Sequence, residues 1–320
     1  MKDLVLYCKS YHRDVLRAKR LAESMRQHNA SNLPFYLSCP AADLPLFKTT
    51  IDSEGVIFLT DEEIIAANTS IDQKILDALP GGLSQQIVKS EFWRLGLCEN
   101  YLCLDSDSYF IRDFSQDDFL APDGTPYTVM NESLELRLFG AIHHHEKIAR
   151  NIDADCTAIM GIMERTGRHY DFGPLPVVWS RKVWSDLTEK FLAPQNLHFM
   201  DAIKLFPSEM RWYGEALLKY RSIELLPVET LFRCYHYEDQ YHAAKKSGET
   251  DETLKLAYLG VCVQSNWDSG LAYGVANKSF GWSRLFADLE AVLPGSVSAS
   301  RINVQNIFND GDRIKADLDI

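Results

Sequence analysis

The chain has 320 residues, of which 46% are hydrophobic and 24% charged, the profile of an ordinary globular protein. Its net charge of −12 argues against a general nucleic-acid binder, because such proteins need basic surface to release counterions. A local basic groove on an acidic protein would still be compatible with an anionic ligand.

The start of the chain and its cysteines indicate a cytoplasmic protein. The first residues lack the apolar stretch of a signal peptide, and no apolar run approaches the ~20 residues of a membrane span. The seven cysteines are an odd number without a C-x-x-C pair. We therefore expect reduced thiols rather than a disulfide framework or a zinc site.

The hydrophobic pattern predicts alternating strands and helices. Apolar runs at residues 4–7, 33–38 and 55–59 predict three strands, and a helix with an apolar stripe follows the first of them from about Asp14. This order predicts right-handed parallel units. We expect one α/β domain over residues 1–294, with a central, mostly parallel sheet flanked by helices. Residues 295–320 are expected to form a tail or docking arm.

Phosphate-binding loops of the two common kinds are absent from the sequence. It contains neither G-x-G-x-x-G nor G-x-x-x-x-G-K-[ST]. A classical dinucleotide-binding dehydrogenase and a P-loop NTPase are therefore not expected.

Two carboxylates follow the most strand-like run of the chain. Residues 101–104 are short, apolar and uninterrupted, which is typical of a central strand covered on both faces, and they lead into Asp105 and Asp107. Ligands of open α/β sheets bind at the carboxyl ends of strands. Two close carboxylates repel each other unless a proton or cation lies between them, and Mg²⁺ or Mn²⁺ suits oxygen ligands. The alternative is an ordinary Asx-type turn.

Several other residues are candidates for a site. Lys89 lies on a helix expected to begin near Ser84, and it could reach an anion at the sheet edge. Glu209 lies in the first turn of a helix capped by Ser208, where a carboxylate favours the macrodipole. Glu215 and Lys219 have the spacing of a structural i,i+4 pair.

The histidines are weaker candidates. The adjacent side chains of residues 143–145 do not converge on one helix face, so we do not expect them to form a metal cluster. His236 lies among aromatic residues, and a lone histidine in such surroundings is usually packed and hydrogen-bonded.

The chain resembles glycosyltransferases of the GT-A fold that carry an Asp-x-Asp motif. It is similar to an uncharacterised bacterial GT-A-like group known by a domain of unknown function. The resemblance covers roughly residues 3–240. It rests, in order, on residues 6–11 with Asp14, residues 85–89, the motif at residues 104–108, and residues 176–181 followed by 208–214.

The resemblance implies a GT-A, Rossmann-like domain that moves a sugar from a nucleotide-diphosphate donor, with UDP before GDP, to a glycan, glycolipid or other hydroxyl acceptor. It implies Mn²⁺ or Mg²⁺ as cofactor, with Asp105, Asp107 and His236 as ligands. It further implies a role in polysaccharide biosynthesis, possible peripheral contact with a membrane, and no nucleic-acid partner.

The resemblance also assigns roles to individual residues. If the reaction inverts the anomeric centre, Glu209 is the candidate general base, with Glu215 as second choice. A retaining enzyme needs no such base. The residues expected to bind the nucleotide sugar are Tyr7, Lys9, Ser10, Tyr11, Asp14, Lys89, Asp105 and Ser106.

Two alternatives stay open at this stage. Haloacid-dehalogenase-like phosphatases also begin with an apolar strand and Asp-x-Asp, and Asp105 would then be the nucleophile. Their motif usually lies near the N-terminus and is followed by Thr or Val where this chain has Tyr109. The other alternative is a GT-A relic that binds a nucleotide sugar or carbohydrate without turnover.

Overall fold

Ten strands in the described part of the chain form three sheets. The protein is represented by a computed structural model, which describes residues 1–143, 145, 147–265 and 267. The expected tail at 295–320 lies outside these residues. The strands are β1 (Lys2–Lys9), β2 (Phe35–Cys39), β3 (Val56–Thr60), β4 (Cys98–Asp105), β5 (Ser108–Phe110), β6 (Tyr127–Val129), β7 (Val177–Ser180), β8 (Leu226–Val228), β9 (Phe232–Tyr235) and β10 (Gly260–Val263).

The central sheet has the order β3-β2-β1-β4-β7. Its first four strands run parallel, and β7 pairs antiparallel with β4. The predicted α/β fold with a central, mostly parallel sheet flanked by helices is confirmed. The antiparallel edge strand was not predicted, because the aromatic, proline-rich stretch at residues 172–180 gives no indication of direction.

Helices occupy most of the remaining described chain. They are α1 (Val15–His28), α2 (Leu44–Thr50), α3 (Asp61–Ala66), α4 (Gln73–Asp77), α5 (Gly81–Glu91), α6 (Leu134–Ile142), α7 (Lys147–Ile162), α8 (Arg181–Asp186), α9 (Phe199–Leu205), α10 (Glu209–Tyr220), α11 (Glu238–Lys246) and α12 (Asp251–Leu254). Short 3₁₀ turns and one π turn at Leu187–Leu192 complete the set. Helix α5 begins three residues before Ser84, whose hydroxyl bonds back to the Gly81 carbonyl instead of capping the helix.

One hydrophobic core lies between the central sheet and α1. The four α1 residues Ala18, Leu21, Ala22 and Met25 are all buried, as their spacing predicted. Strands β1 and β4 are buried along most of their length on both faces. This explains their nearly continuous apolar sequences.

A second sheet of order β5-β10-β9 follows directly after the central one. Strand β5 starts three residues after the end of β4 and pairs antiparallel with β10, with Ser108 opposite Cys262. Strand β9 lies parallel to β10. The turn that joins the two sheets therefore contains Ser106 and Asp107, and it meets the carboxyl end of β10.

Two general properties of the described residues bear on the expected location. None of their helices combines the length and the apolar character that a membrane crossing requires. All seven cysteines are buried free thiols.

One close approach fixes how α10 packs on the segment before β7. A Cβ added to Gly214 of α10 would lie 2.0 Å from Cγ of Phe172, a separation at which one of the two groups has to move. Phe172 is buried, so it has little room to do so. The helix and the aromatic ring can touch only because this position has no side chain.

We predict that Gly214→Ala destabilises the protein. Alanine normally favours a helix over glycine by about 1 kcal/mol, but overpacking a filled core costs about 1–3 kcal/mol. Thermal melting should therefore fall in Gly214→Ala. The matched control is Gly161→Ala in α7, where nothing lies within 4 Å of the added Cβ, and its melting temperature should hold or rise. An unchanged Gly214→Ala variant would contradict this packing.

Candidate functional site

The two carboxylates of the motif lie at the carboxyl end of β4. Asp105 is the last residue of β4 and lies opposite Lys9, the last residue of β1. Asp107 follows in the turn that leads to β5. The side chain of Asp105 is 36% exposed, whereas Asp107 is buried. The predicted strand, and the position of both carboxylates at its end, are confirmed.

A buried lysine links Asp105 to a second acid. Lys89 Nζ lies 2.5 Å from Asp105 Oδ1 and 3.7 Å from Glu209 Oε1, and its side chain is only 3% exposed. Burial opposes its charge, but Asp105 and then Glu209 more than compensate and hold the pKa of Lys89 above its usual value. We had expected Lys89 to reach a bound anion. Instead its ammonium group is occupied by two carboxylates.

Hydrogen bonds fix the helix that carries this lysine. The Tyr101 hydroxyl of β4 donates to the backbone carbonyl of Lys89 at 3.0 Å. Gln86, one turn earlier, accepts a hydrogen bond from the Glu209 backbone N–H at 3.2 Å. Strand β4 and helices α5 and α10 are thus joined at one point by charge and by hydrogen bonds.

Glu209 is the acid at the start of α10. Ser208 caps the helix by accepting from the Arg211 N–H, as predicted. Glu209 is 5% exposed, and burial raises its pKa while Lys89 lowers it. Lys89 therefore links Glu209 to Asp105. The sequence could not show this, because the two acids are about a hundred residues apart.

Asp107 is held by residues from the end of β10. The Ser265 backbone N–H donates to its Oδ2 at 2.9 Å, and the Cys262 thiol donates to its Oδ1 at 3.4 Å. Burial, followed by the charge of Asp105, raises the pKa of Asp107 to about 7. The carboxyl group of Asp107 is therefore protonated at a higher pH than an ordinary aspartic acid.

The expected third metal ligand is not with the carboxylates. His236 Nδ1 lies 3.9 Å from the thiol of Cys234, which is the register partner of Cys262 on the neighbouring strand. Two thiols therefore separate His236 from Asp107. Across the described residues, no three His, Cys, Asp or Glu side chains are arranged to hold a metal ion. The structure therefore does not bring His236, Asp105 and Asp107 together as the three-residue ligand set that the resemblance implied.

The end of β1 brings further predicted residues close to Asp105. Lys9 lies 3.5 Å from Asp61, and Arg17 donates to Asp14 at 2.6 Å. Burial raises the pKa of Asp14, and Arg17 acts against it. Ser10 is buried, and its hydroxyl has no hydrogen-bond partner within the described part of the chain.

The other predicted donor-binding residues differ in their access. Tyr7 is fully buried, stacks on Phe92 at 3.9 Å and bonds to Ser38, so it belongs to the core and not to a ligand surface. That prediction was wrong because β1 is covered on both faces, so a tyrosine two residues before the strand end is buried whichever face it takes. Tyr11 is partly exposed beyond the strand end, and Ser106 is buried in the turn.

Glu215, the second candidate base, is held in a buried ion pair. Arg165 bonds to both carboxylate oxygens of Glu215, with Nη2 2.7 Å from Oε1, and Glu215 is 1% exposed. Its partner is not Lys219, which bonds instead to the Met163 carbonyl. A carboxylate held in this way has no free oxygen for an acceptor hydroxyl.

The structure describes two residues of the histidine run, His143 and His145. His145 bonds to Asp239 at 2.9 Å, and the ring of His143 packs on Phe139. The ring of His145 also lies against Phe139, so both histidines pack on the same aromatic residue. His144 lies outside the described residues.

Comparison with known proteins gives a family and no activity. A model described as "Family of unknown function (DUF6492)" matches residues 3–254, well over half of the chain. The chain belongs to this family. No curated protein matches it.

Sequence reasoning missed several residues that build the site in this DUF6492 protein. Gln86, Tyr101, Cys262 and Ser265 all hold a site carboxylate or its lysine. The helical spacing of Gln86 and Lys89 put them one turn apart, which was an available signal. Cys262 and Ser265 gave none, because they are far from Asp107 in sequence and meet it only through strand pairing.

We predict strong energetic coupling between Lys89 and Glu209. Lys89→Met leaves a buried carboxylate without its cation and should lower the free energy of unfolding by about 3–5 kcal/mol. Glu209→Gln removes that charge, so the double variant should cost clearly less than the sum of the two single changes. Denaturant unfolding of all four proteins measures this.

The control is Lys190→Met. Lys190 lies 2.8 Å from Asp186, but 51% of its side chain is exposed, so its loss should cost at most about 1 kcal/mol. Additive costs in the Lys89 and Glu209 variants, or a Lys89→Met protein as stable as wild type, would show that this ion pair does not support the fold.

Proposed function

We propose that this protein is a metal-dependent glycosyltransferase that uses a nucleotide-diphosphate sugar, with UDP as the first candidate nucleotide. One observation carries the proposal: two carboxylates, one partly exposed and one buried, lie together at the carboxyl end of a central parallel strand. Ligands of open α/β sheets bind at this edge. The resemblance of the sequence to GT-A enzymes narrows the ligand to a nucleotide sugar.

The chemistry of the two carboxylates fits a hard divalent cation. Asp105 and Asp107 offer oxygen ligands, and their mutual repulsion contributes to the raised pKa of Asp107. Mg²⁺ sites that serve phosphates commonly use one or two carboxylates, with water and substrate oxygens completing the coordination. Two protein ligands are therefore enough when substrate oxygens and water complete the coordination of the cation. When bound, the cation would stabilise the charge of the leaving diphosphate.

Residues around the carboxylates have supporting roles in this proposal. Lys89 holds Asp105 in place through their ion pair. Because its ammonium group is buried, it cannot also reach a diphosphate in solvent. Ser10 has a buried hydroxyl with no hydrogen-bond partner among the described residues, and Asp14, which is bound by Arg17, is the nearby acid before α1. These two residues lie where the resemblance places the nucleoside.

Glu209 is the better candidate for a general base. Burial raises its pKa, which makes it a stronger proton acceptor, and it adjoins the same lysine as Asp105. Glu215, in contrast, is fully engaged by Arg165. If the reaction inverts configuration, Glu209 would take the proton of the acceptor hydroxyl.

We predict that nucleotide binding depends on the metal and on Asp107. UDP with Mn²⁺ should raise the melting temperature of the wild type, because a ligand at a hundred times its Kd stabilises by about 2.7 kcal/mol. Asp107→Asn should lose this shift, because the amide offers the cation a single neutral oxygen. Asp117→Asn, an exposed acid elsewhere, is the control.

Two results would contradict the proposal. One is the absence of any metal-dependent shift with every nucleoside diphosphate and nucleotide sugar. The other is metal-dependent release of phosphate from p-nitrophenyl phosphate that is lost in Asp105→Asn, which would identify a phosphatase.

We predict that Glu209→Gln lowers turnover by about 10²–10⁴-fold while leaving UDP affinity nearly unchanged. The reason is that a base contacts the acceptor hydroxyl and not the diphosphate. Donor titration and initial rates with an accepted acceptor separate the two effects. Turnover within a few-fold of wild type would assign Glu209 a purely structural role as the partner of Lys89.

A further inference from the structure

Two of the buried cysteines lie side by side in the second sheet. Cys234 of β9 and Cys262 of β10 are register partners on neighbouring parallel strands, and a hydrogen bond joins their thiols. Neighbouring strands lie about 4.8 Å apart, and the two Cα atoms of a disulfide are usually separated by roughly 4.4–6.8 Å. A bond between these two sulfurs therefore needs little movement of the backbone.

The other strand cysteines lack such a partner. Among the strand pairs that the structure describes, Cys234 and Cys262 are the only two cysteines in register. Cys8 and Cys103 also lie on neighbouring strands, β1 and β4, but they are one residue out of register. Because side chains alternate between the two faces of a sheet, this offset directs the thiols of Cys8 and Cys103 to opposite faces.

The pair of thiols is connected to the candidate site. The Cys262 thiol donates to Asp107 Oδ1 at 3.4 Å, and the Ser265 N–H donates to the other oxygen of the same carboxylate. A reaction that removes the hydrogen of the Cys262 thiol therefore changes the hydrogen bonding of Asp107. The proposed glycosyl transfer makes no use of either cysteine.

We propose that Cys234 and Cys262 are a redox-active pair, which a peroxide converts to a reversible disulfide, and that this reaction removes the thiol hydrogen bond on Asp107. Proteins that otherwise keep their thiols reduced use disulfides mainly as transient, redox-sensing bonds. The oxidant has to be small, because Cys234 is 6% exposed and Cys262 only 2%.

The reaction balances with hydrogen peroxide as the oxidant. The sulfur of Cys234, the more exposed of the two, attacks one peroxide oxygen, and the O–O bond breaks. The hydroxide that leaves takes the thiol proton and becomes water, so that Cys234 becomes a sulfenic acid. The sulfur of Cys262 then attacks the sulfur of Cys234, and the S–O bond breaks. The departing hydroxyl group leaves with the Cys262 proton as a second water, and the two thiols have given two electrons to the peroxide.

The first experiment detects the disulfide in the full chain. Reduced protein, freed of reductant and treated with hydrogen peroxide, should lose the mass of two hydrogen atoms and regain it with dithiothreitol. Peptide mapping without reductant should link the peptides of Cys234 and Cys262. Cys234→Ala should lose this link, whereas Cys103→Ala is the control and should keep it. Circular dichroism and melting of the reduced variants confirm that they are folded.

Two results of the mapping would overturn the proposal. One is a peroxide-treated wild type without a linked peptide of Cys234 and Cys262. The other is a link between Cys8 and Cys103 in its place, since strand register would then not select the pair. Both results are read from the wild type, so they do not depend on the folding of a variant.

The second experiment measures the effect on Asp107, and it rests on the proposed function. Oxidised wild type should bind UDP with Mn²⁺ about 2- to 10-fold more tightly than reduced wild type, because the cation no longer competes with the thiol hydrogen for an oxygen of Asp107. Cys262→Ala lacks this donor and should bind like oxidised wild type even when reduced. Cys234→Ala keeps the donor and should bind like reduced wild type after peroxide. Calorimetry measures all four affinities.

The two experiments separate the failure of this inference from the failure of the proposed function. Equal or weaker binding by the oxidised wild type would overturn the connection between the disulfide and Asp107. If neither state binds UDP with Mn²⁺, the proposed glycosyl transfer fails, and the peptide map still decides whether Cys234 and Cys262 form a redox-active pair.

Discussion

The buried ammonium group of Lys89 is the constraint on which the site depends. A charge with a 3% exposed side chain is stable only when it is paired, and its two partners come from β4 and from the first turn of α10. The lysine itself comes from α5. Three elements that are distant in sequence therefore have one relative position in which the charge is satisfied.

The two carboxylates of the motif are unequal because two sheets meet at their turn. Asp105 ends a strand of the central sheet and keeps part of its surface, with one oxygen bound by Lys89. Asp107 is enclosed by the end of β10, where Ser265 and Cys262 bind its oxygens. Binding a cation would therefore require Asp107 to exchange a thiol hydrogen bond for a metal bond. Losing this hydrogen bond would weaken cation binding to the protein alone, so the affinity for the cation would depend on oxygen ligands from the substrate.

The fold by itself is compatible with many activities, so the functional argument rests on the site. Lys89 binds only one oxygen of Asp105, and 36% of that side chain stays exposed. The second oxygen could therefore serve either a donor site completed by substrate and metal or a phosphatase nucleophile, and the phosphate-release assay separates the two. The buried hydroxyl of Ser10, which has no hydrogen-bond partner among the described residues, adds a polar group at the neighbouring strand end.

The sequence by itself determined the α/β class, the order of the first strands and the position of Asp105 and Asp107 at a strand end. These follow from local patterns: short apolar runs, helical spacing and the residues at strand ends. Tertiary structure alone decided that Lys89 binds two acids, that Tyr7 is a core residue, that Arg165 occupies Glu215 and that His236 stands apart. The physical reason is that pairing of buried charges and strand register depend on contacts between residues far apart in the chain, which no local pattern records.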